Sequence, residues 1–518
     1  MAGRRRKFWG WGFEDQQPPQ AEVERTGLAA REQLGFGPAE VERPPRLEEL
    51  DLPGPRVEAP AALAEICATD PYERALHTYG RAYRDVVRAF RGHFDNPPDV
   101  VARPRGEHEL EGVLEWCAEA GLAAIPFGGG TSVVGGVEAR VSQGAAVSVD
   151  MKAMSRVLEV DRESQAARIQ AGATGPELER GLKEHGLTLR HYPQSFEFST
   201  LGGWIATRAG GHFATLHTHI DDFVESVRAI TPTGAWESRR LPGSGAGPSP
   251  DRMLIGSEGI LGVITEAWVR VQGAPAHKES AAVLFDSFSD GAGAVRALAQ
   301  TRLFPTNCRL LDPGEATLTA SAPAGTALLV LGFEGSGEVG AAMAQALELC
   351  RAAGGRPRER RGDSEGAWRE AFLSAPYLRD TLIAVGVLAE TFESAITWER
   401  FDGFIDAVRG ATENALGGEG RVTCRLTHVY PDGAAPYFTV LAPARRGEEL
   451  DQWEQVKTAA SEAIIAAGGS ITHHHGVGRD HRRWYDRQRP DPFAAALRAA
   501  KAAVDPNGIL NPGVLIDP

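Results

Sequence analysis

Three consecutive histidines near the end of the chain, His473, His474 and His475, run into Gly476-Val477-Gly478. An imidazole exchanges a proton near neutral pH, so the run marks acid/base chemistry. Far upstream, Pro126-Phe127-Gly128-Gly129-Gly130-Thr131-Ser132 follows an apolar stretch, with no charged residue before Glu138. A loop crossing a pyrophosphate needs backbone N–H groups aimed inward and no Cβ atoms in the way, which consecutive glycines supply. Val133 stands where the third glycine of G-x-G-x-x-G would be, which disfavours a Rossmann dinucleotide site. The histidines also have a metal-binding reading. On a strand, however, neighbouring side chains face opposite ways. Only His473 and His475 would then chelate together, and no carboxylate partner is obvious, so no metal is expected.

Two more segments share the mixture of glycine and hydroxyl residues. Residues 193–211 carry Ser195, Ser199, Thr200, Gly202, Gly203, Thr207 and Arg208, and residues 255–265 carry Glu258, Gly259, Gly262, Val263 and Ile264. Such segments suit a large aromatic ligand with a polar rim. Arginine binds phosphate or carboxylate in a fork, which makes Arg309, Arg379 and Arg425 candidates. Taken alone, Arg379-Asp380 reads rather as a surface ion pair, and Tyr437 as a core residue rather than a catalytic one. His185, His191, His212, His217 and His219 read as structural or solvated.

The elements that must position these residues follow from periodicity. Val100-Val101 and Leu122–Pro126 read as strands, with helical spacing at Leu110, Val113, Leu114 and Cys117 between them. Further strands are predicted over Ala145–Val149, Val157–Val160, Arg168–Ala171, Val224–Thr231, Trp236–Ser238 and Ile264–Val271, with a helix over Pro176–His185. Helices are also predicted near 290–301, 338–353, 452–467 and 492–503. The expected division is an arm with one helical stretch near Tyr83–Phe90 (1–94), an α+β domain (95–272), a second α+β region (273–451) and a tail (452–518) that returns to the site. Convergence of all three regions is expected because proton transfer needs contact at about 3 Å.

The chain has 518 residues and a formal net charge of −14, which argues against a nucleic-acid partner. Five scattered cysteines without a C-x-x-C support neither a disulfide framework nor a cysteine zinc site, and point to the cytoplasm. The opening Arg4-Arg5-Arg6-Lys7-Phe8-Trp9 lacks the apolar core of an export signal. Its composition admits peripheral membrane contact, but a packed or loose arm is the favoured reading. A homodimer is a further expectation.

The three glycine-rich segments resemble the FAD-binding domain of the vanillyl-alcohol oxidase type of flavoproteins. Asp505–Gly513 resembles that fold's closing segment. Within that superfamily the chain is similar to the alkyldihydroxyacetonephosphate synthase family. The likeness rests on Trp9–Phe13, the phosphate loop, Glu197–Gly211, Gly256–Ala267, Cys308–Asp312, Tyr377–Asp380, Thr423–Thr427 and Gly468–Gly478. It implies an α+β fold: a two-part FAD-binding domain with an α+β cap. By resemblance, His474 is the active-site histidine, flanked by His473 and His475, and Tyr437 the active-site tyrosine. Arg379 is associated with the acyl carboxylate and Arg309 with an intact flavin site. No histidine lies in the phosphate loop, so FAD is implied to be non-covalent. The implied substrates are acyl-dihydroxyacetone phosphate and a long-chain fatty alcohol, exchanged without net redox change in ether-lipid synthesis. Pro436 and the thin aromatic run Phe438-Thr439-Val440 depart from the family's pattern and bear on substrate shape. An FAD-dependent 2-hydroxyacid dehydrogenase, for D-lactate or glycolate, would use the same residue types.

Overall fold

The computed structural model describes residues 4–140, 144–319, 321–358 and 376–517. Two sheets carry the glycine-rich segments. The first has the order Cys67–Ala68, Val100–Ala102, Ala146–Asp150, Ala123–Phe127, with the last three strands parallel. The parallel strands need a crossover, which helix Glu107–Ala120 provides, stopped by Gly121 at φ 65°. Leu110, Val113, Leu114 and Cys117 on that helix are buried against Val100, Val147 and Val149. The second sheet is antiparallel, in the order Val157–Asp161, Ala166–Gln170, Val263–Arg270, Val224–Thr231, Gly234–Glu237. Helices Gly175–Lys183 and Leu201–Thr207 cover it, with Leu178, Leu182, Trp204 and Ile205 in its core.

The third sheet is the largest, antiparallel throughout. Its central strands run Ala327–Gly335, Asn307–Leu311, Arg421–Val429, Gly433–Pro443, Val387–Glu393. Side chains alternate across a strand. Val422, Cys424, Leu426, Phe438, Val440, Leu388 and Phe392 therefore share one apolar face. Helices Phe288–Ala299, Gly340–Ala352, Phe401–Ala415 and Glu449–Ala466 bury that face through Val295, Ala346, Phe404 and Val456. The opposite face carries Arg309, Thr423, Arg425, Thr427, Tyr437 and Thr439, all on the wall of one cavity.

One expectation needs correction. The arm holds more helix than Tyr83–Phe90: Gln20–Leu34 and Pro71–Leu76 are helical too. Gly27 hides the first of these, because glycine disfavours helix interiors. Packing requires it, since a Cβ at Gly27 would lie 2.3 Å from Val385 Cγ1. The arm is also tied down, with Phe8, Trp9, Trp11 and Phe13 buried. Arg81 Nε donates to the Gly10 carbonyl at 2.9 Å, and the Trp11 N–H donates to Asp380 at 3.0 Å.

The tail runs back across the first sheet. The Ala124 N–H donates to the Ile509 carbonyl at 2.8 Å, and the Asn511 N–H to the Ala124 carbonyl at 2.9 Å. The Arg479 N–H donates to the Val134 carbonyl at 2.9 Å, which sets residues 473–478 beside the glycine loop.

Candidate active site

A cavity of about 460 Å³ lies between the glycine loop and the open face of the large sheet. Gly128–Val133 form one wall with Ser195, Ser199, Thr200, Gly203 and Thr207. Arg309, Arg425 and Tyr437 form the other, and His474 and His475 reach in from the tail. Thr391 extends the sheet wall, Arg379 lines the cavity beside it, and the apolar end has Ala30, Leu34, Leu318, Leu382 and Leu441.

The glycines of the loop are required by close approach. A Cβ on Gly128 would lie 2.3 Å from Thr200 Oγ1, and one on Gly129 would lie 2.1 Å from the Phe198 carbonyl oxygen. Gly130 has φ +63°, where a side chain is strained, and its Cβ would meet Phe127 at 2.3 Å. The loop carbonyls are anchored from behind: Arg6 Nη1 donates to Gly129 O at 2.6 Å, and the Arg81 N–H to Ser132 O at 2.6 Å. A trans peptide sets the next N–H opposite its carbonyl, so these anchors turn the N–H groups of Gly130 and Val133 the other way. Among the described residues, no backbone N–H from Gly129 to Val133 donates to the protein. This row of unused donors in a cradle that any Cβ would fill fits a pyrophosphate, and so fits FAD.

On the opposite wall the strand register aligns three functional groups. Tyr437 pairs with Arg425 on one side and with Glu393 on the other. The Arg425 guanidinium sits 4.0 Å from the centre of the Tyr437 ring and donates to Glu315 at 2.5 Å. Glu315 is held by helix Pro313–Leu318, whose cap Asp312 accepts the Glu315 N–H at 2.8 Å. Tyr437 and His474 stack, with centroids 6.1 Å apart and planes 16° apart. Arg379 donates to the Arg81 carbonyl at 3.1 Å and to Thr391 Oγ1 at 3.3 Å.

The histidine run is an irregular bend, not a strand, so alternation does not govern it. The pairing expected of His473 and His475 gives way to contacts between sequence neighbours. His473 Nδ1 and His474 Nδ1 are 3.0 Å apart, and the rings of His474 and His475 are 4.8 Å apart. The carboxylate missing from the sequence reading is Glu393, fully buried at the end of Val387–Glu393. It accepts the backbone N–H groups of His473, of His474 at 3.2 Å and of His475 at 2.8 Å, and the Thr472 hydroxyl at 2.7 Å. Those four donors engage both oxygens and make Glu393 an anchor for the loop, not an open ligand. Burial opposes its ionisation, but the neighbouring His474, His475 and His473 and the Thr472 hydroxyl hold its carboxyl well below the usual range. Burial lowers His474 against the pull of Glu393, and takes His475 down to about 3.

Several sequence candidates stand off the cavity wall. Pro126 supports Gly259, where a Cβ would lie 2.8 Å from the proline ring, and Gly202 packs on Ala171. Arg208 pairs with Asp221 at 2.8 Å. Glu258 is buried, accepts the N–H groups of Val477 at 2.7 Å and Gly478 at 2.8 Å, and is pushed up to about 7 by burial. Gly262 packs against Ala229, Ile230 and Thr231, and Val263 and Ile264 are strand core. His473 turns behind His474 and bonds Tyr430. Glu393, Glu315, Tyr430 and His428 were absent from the sequence reading. Glu393 and His428 are placed by strand register, Glu315 by a short helix and Tyr430 by the residue after a strand, none of which a lone residue displays in sequence.

Comparison with known proteins agrees with this arrangement. The family described as FAD binding domain matches residues 98–238, and the family described as FAD linked oxidases, C-terminal domain matches residues 274–515. A solved structure described as alkyldihydroxyacetonephosphate synthase superposes with a TM-score of 0.82 at 25% identity, covering 98% of both chains. A p-cresol methylhydroxylase structure shares the fold, with a TM-score of 0.70 at 15% identity over 96% of this chain and 98% of that one. The sequence is 31% identical over 481 residues to the alkyldihydroxyacetonephosphate synthase of Dictyostelium discoideum, covering 86% of this chain and 78% of that one. At that identity and coverage, the chain belongs to the alkyldihydroxyacetonephosphate synthase family.

Proposed function

We propose that this chain exchanges the acyl chain of acyl-dihydroxyacetone phosphate for a long-chain alcohol, with FAD held non-covalently. The observation that carries this reading is the continuity of one cavity. It runs from the unused N–H groups of the glycine loop, past the His474–Tyr437 stack and three arginines, to an apolar end at Leu34, Leu318, Leu382 and Leu441. A headgroup with a phosphate and a long chain needs cations and apolar surface in that sequence. FAD, when bound, supplies a ring that accepts electron pairs and returns them, so the exchange needs no external oxidant.

The residues then divide the work. Gly128–Val133 hold the cofactor pyrophosphate through backbone N–H groups. Neutral His474 takes the C1 proton and returns it to C1 once the alcohol has added, and the alcohol's own proton leaves with the departing fatty acid. Tyr437, stacked on His474, holds a proton at the adjoining oxygen. Arg425 and Arg379 bind the phosphate and the departing carboxylate. The loop offers no histidine or cysteine as a covalent tether, so acid precipitation should release all the flavin. Among the described residues, no helix is long and apolar enough to cross a membrane.

The test is product formation. Holoenzyme, acyl-dihydroxyacetone phosphate and a fatty alcohol should give alkyl ether and an equal amount of fatty acid with no added electron acceptor. Absence of ether across chain lengths, with FAD bound, overturns the reading. Bleaching of the flavin by D-lactate or glycolate would assign the same residues to a 2-hydroxyacid dehydrogenase instead.

A further inference from the structure

Behind His474 lies a chain of hydrogen bonds that the reaction as described does not use. His219 Nε2 lies 3.0 Å from the His473 carbonyl oxygen, and His219 Nδ1 lies 3.0 Å from Thr218 Oγ1. Thr218 Oγ1 lies 3.1 Å from the Tyr430 hydroxyl, which lies 2.7 Å from His473 Nε2. His473 Nδ1 lies 3.0 Å from His474 Nδ1.

The direction of every bond follows from one end. A carbonyl oxygen only accepts, so His219 Nε2 carries its hydrogen. In the neutral ring Nδ1 is then an acceptor, and the Thr218 hydroxyl donates to it. Thr218 Oγ1 is left to accept from the Tyr430 hydroxyl. The Tyr430 oxygen in turn accepts from His473 Nε2–H. His473 Nδ1 is therefore a lone pair, and His474 Nδ1–H donates to it. His474 Nε2 remains as the basic nitrogen, and among the described residues it has no hydrogen-bond partner, while its ring lines the cavity. Burial lowers both His473 and His474, which favours their neutral forms.

We propose that Tyr430, Thr218, His219 and His473 are positioning residues that lock His474 as the Nδ1–H tautomer and present Nε2 as the base. This rests on the reading that His474 moves the substrate proton. Among the groups facing His474, Glu393 favours its protonated form and His219, Arg425 and Arg309 oppose it, while His428 and His475 pack against its ring. None of these donates to or accepts from His474 Nδ1, so the tautomer is set by the chain.

Tyr430 and Thr218 do not line the cavity, so Tyr430→Phe and Thr218→Val test the chain without touching substrate. In 15N-histidine-labelled holoenzyme, NMR should report His474 as Nδ1–H in the parent protein and as a tautomer mixture in Tyr430→Phe. The kcat for ether formation should fall about tenfold, with KM and the flavin spectrum unchanged. The acid limb of the kcat profile should move to lower pH, because His474 loses an acceptor that supports its imidazolium. His473→Gln, which still offers one donor and one acceptor, should retain more activity than His473→Leu. An unchanged His474 tautomer and kcat in both Tyr430→Phe and Thr218→Val would overturn the proposal. If the parent protein makes no ether, the proposed function fails, but the tautomer measurement still decides this inference.

Discussion

The two walls of the cavity work by opposite means. The glycine-loop wall acts through backbone: its donors are peptide N–H groups, and its side chains are small or absent because Thr200, Phe198 and Phe127 press against it. The cap-sheet wall acts through side chains: Arg425, Tyr437 and Glu393 stand in register on three adjacent strands. The first wall should therefore fail when anything is added to it. The second should fail when something is taken away and leaves buried partners unpaired.

The first wall should break at Gly129. Gly129→Val places a Cβ 2.1 Å from a backbone oxygen that cannot rotate aside. Overpacking of this kind costs about 1–3 kcal/mol, and a loss of that size from FAD binding is about fivefold to 150-fold in affinity. The protein should purify with little flavin, and FAD titration should show that weakening. Retention of FAD at the parent level would mean that the loop is not the cofactor wall.

Taking away Glu393 probes the other wall. Glu393→Ala leaves three backbone N–H groups and the Thr472 hydroxyl without their acceptor. Each unsatisfied buried donor costs about 1–3 kcal/mol, so urea unfolding should show a loss of at least about 3 kcal/mol. FAD should still bind, since the phosphate contacts lie on the opposite wall. A variant as stable as the parent would show that the histidine bend holds itself.

A smaller effect is expected where the two walls are tied together. Glu258 joins its own segment to the tail through Val477 and Gly478, and burial raises it to about 7. A raised carboxyl means that the folded state binds a proton that the unfolded state has released between about pH 4.3 and 7. Its contribution is fully present below the unfolded value and is lost as pH rises through about 7. Unfolding midpoints of the parent should fall across that window more steeply than those of Glu258→Gln. Parallel slopes would remove Glu258 as the cause.

The same contrast explains what could be read from sequence. Backbone function leaves a compositional trace, so Gly128–Ser132 was legible, as were the buried strands. Val224–Thr231 was predicted with its observed bounds, and Val263–Arg270 within one residue. Resemblance supplied His474 and Tyr437, which the structure brings into a stack. Glu393 was not legible because its four partners lie about eighty positions downstream. His219 reads as structural or solvated from sequence, and Tyr430 gives no signal, because a chain of single hydrogen bonds across three segments leaves no spacing pattern. Helix Gln20–Leu34 was obscured by Gly27, which makes room for Val385.

The central claim is that His474 does its chemistry on substrate while the cofactor is held elsewhere, by the glycine loop. The most direct measurement is ether formation by His474→Ala holoenzyme, recorded with its flavin absorbance. The account predicts flavin bands at parent intensity and a turnover lower by on the order of a hundredfold to ten-thousandfold, the usual weight of a general base. Ether formation at the parent rate with flavin bound would contradict it.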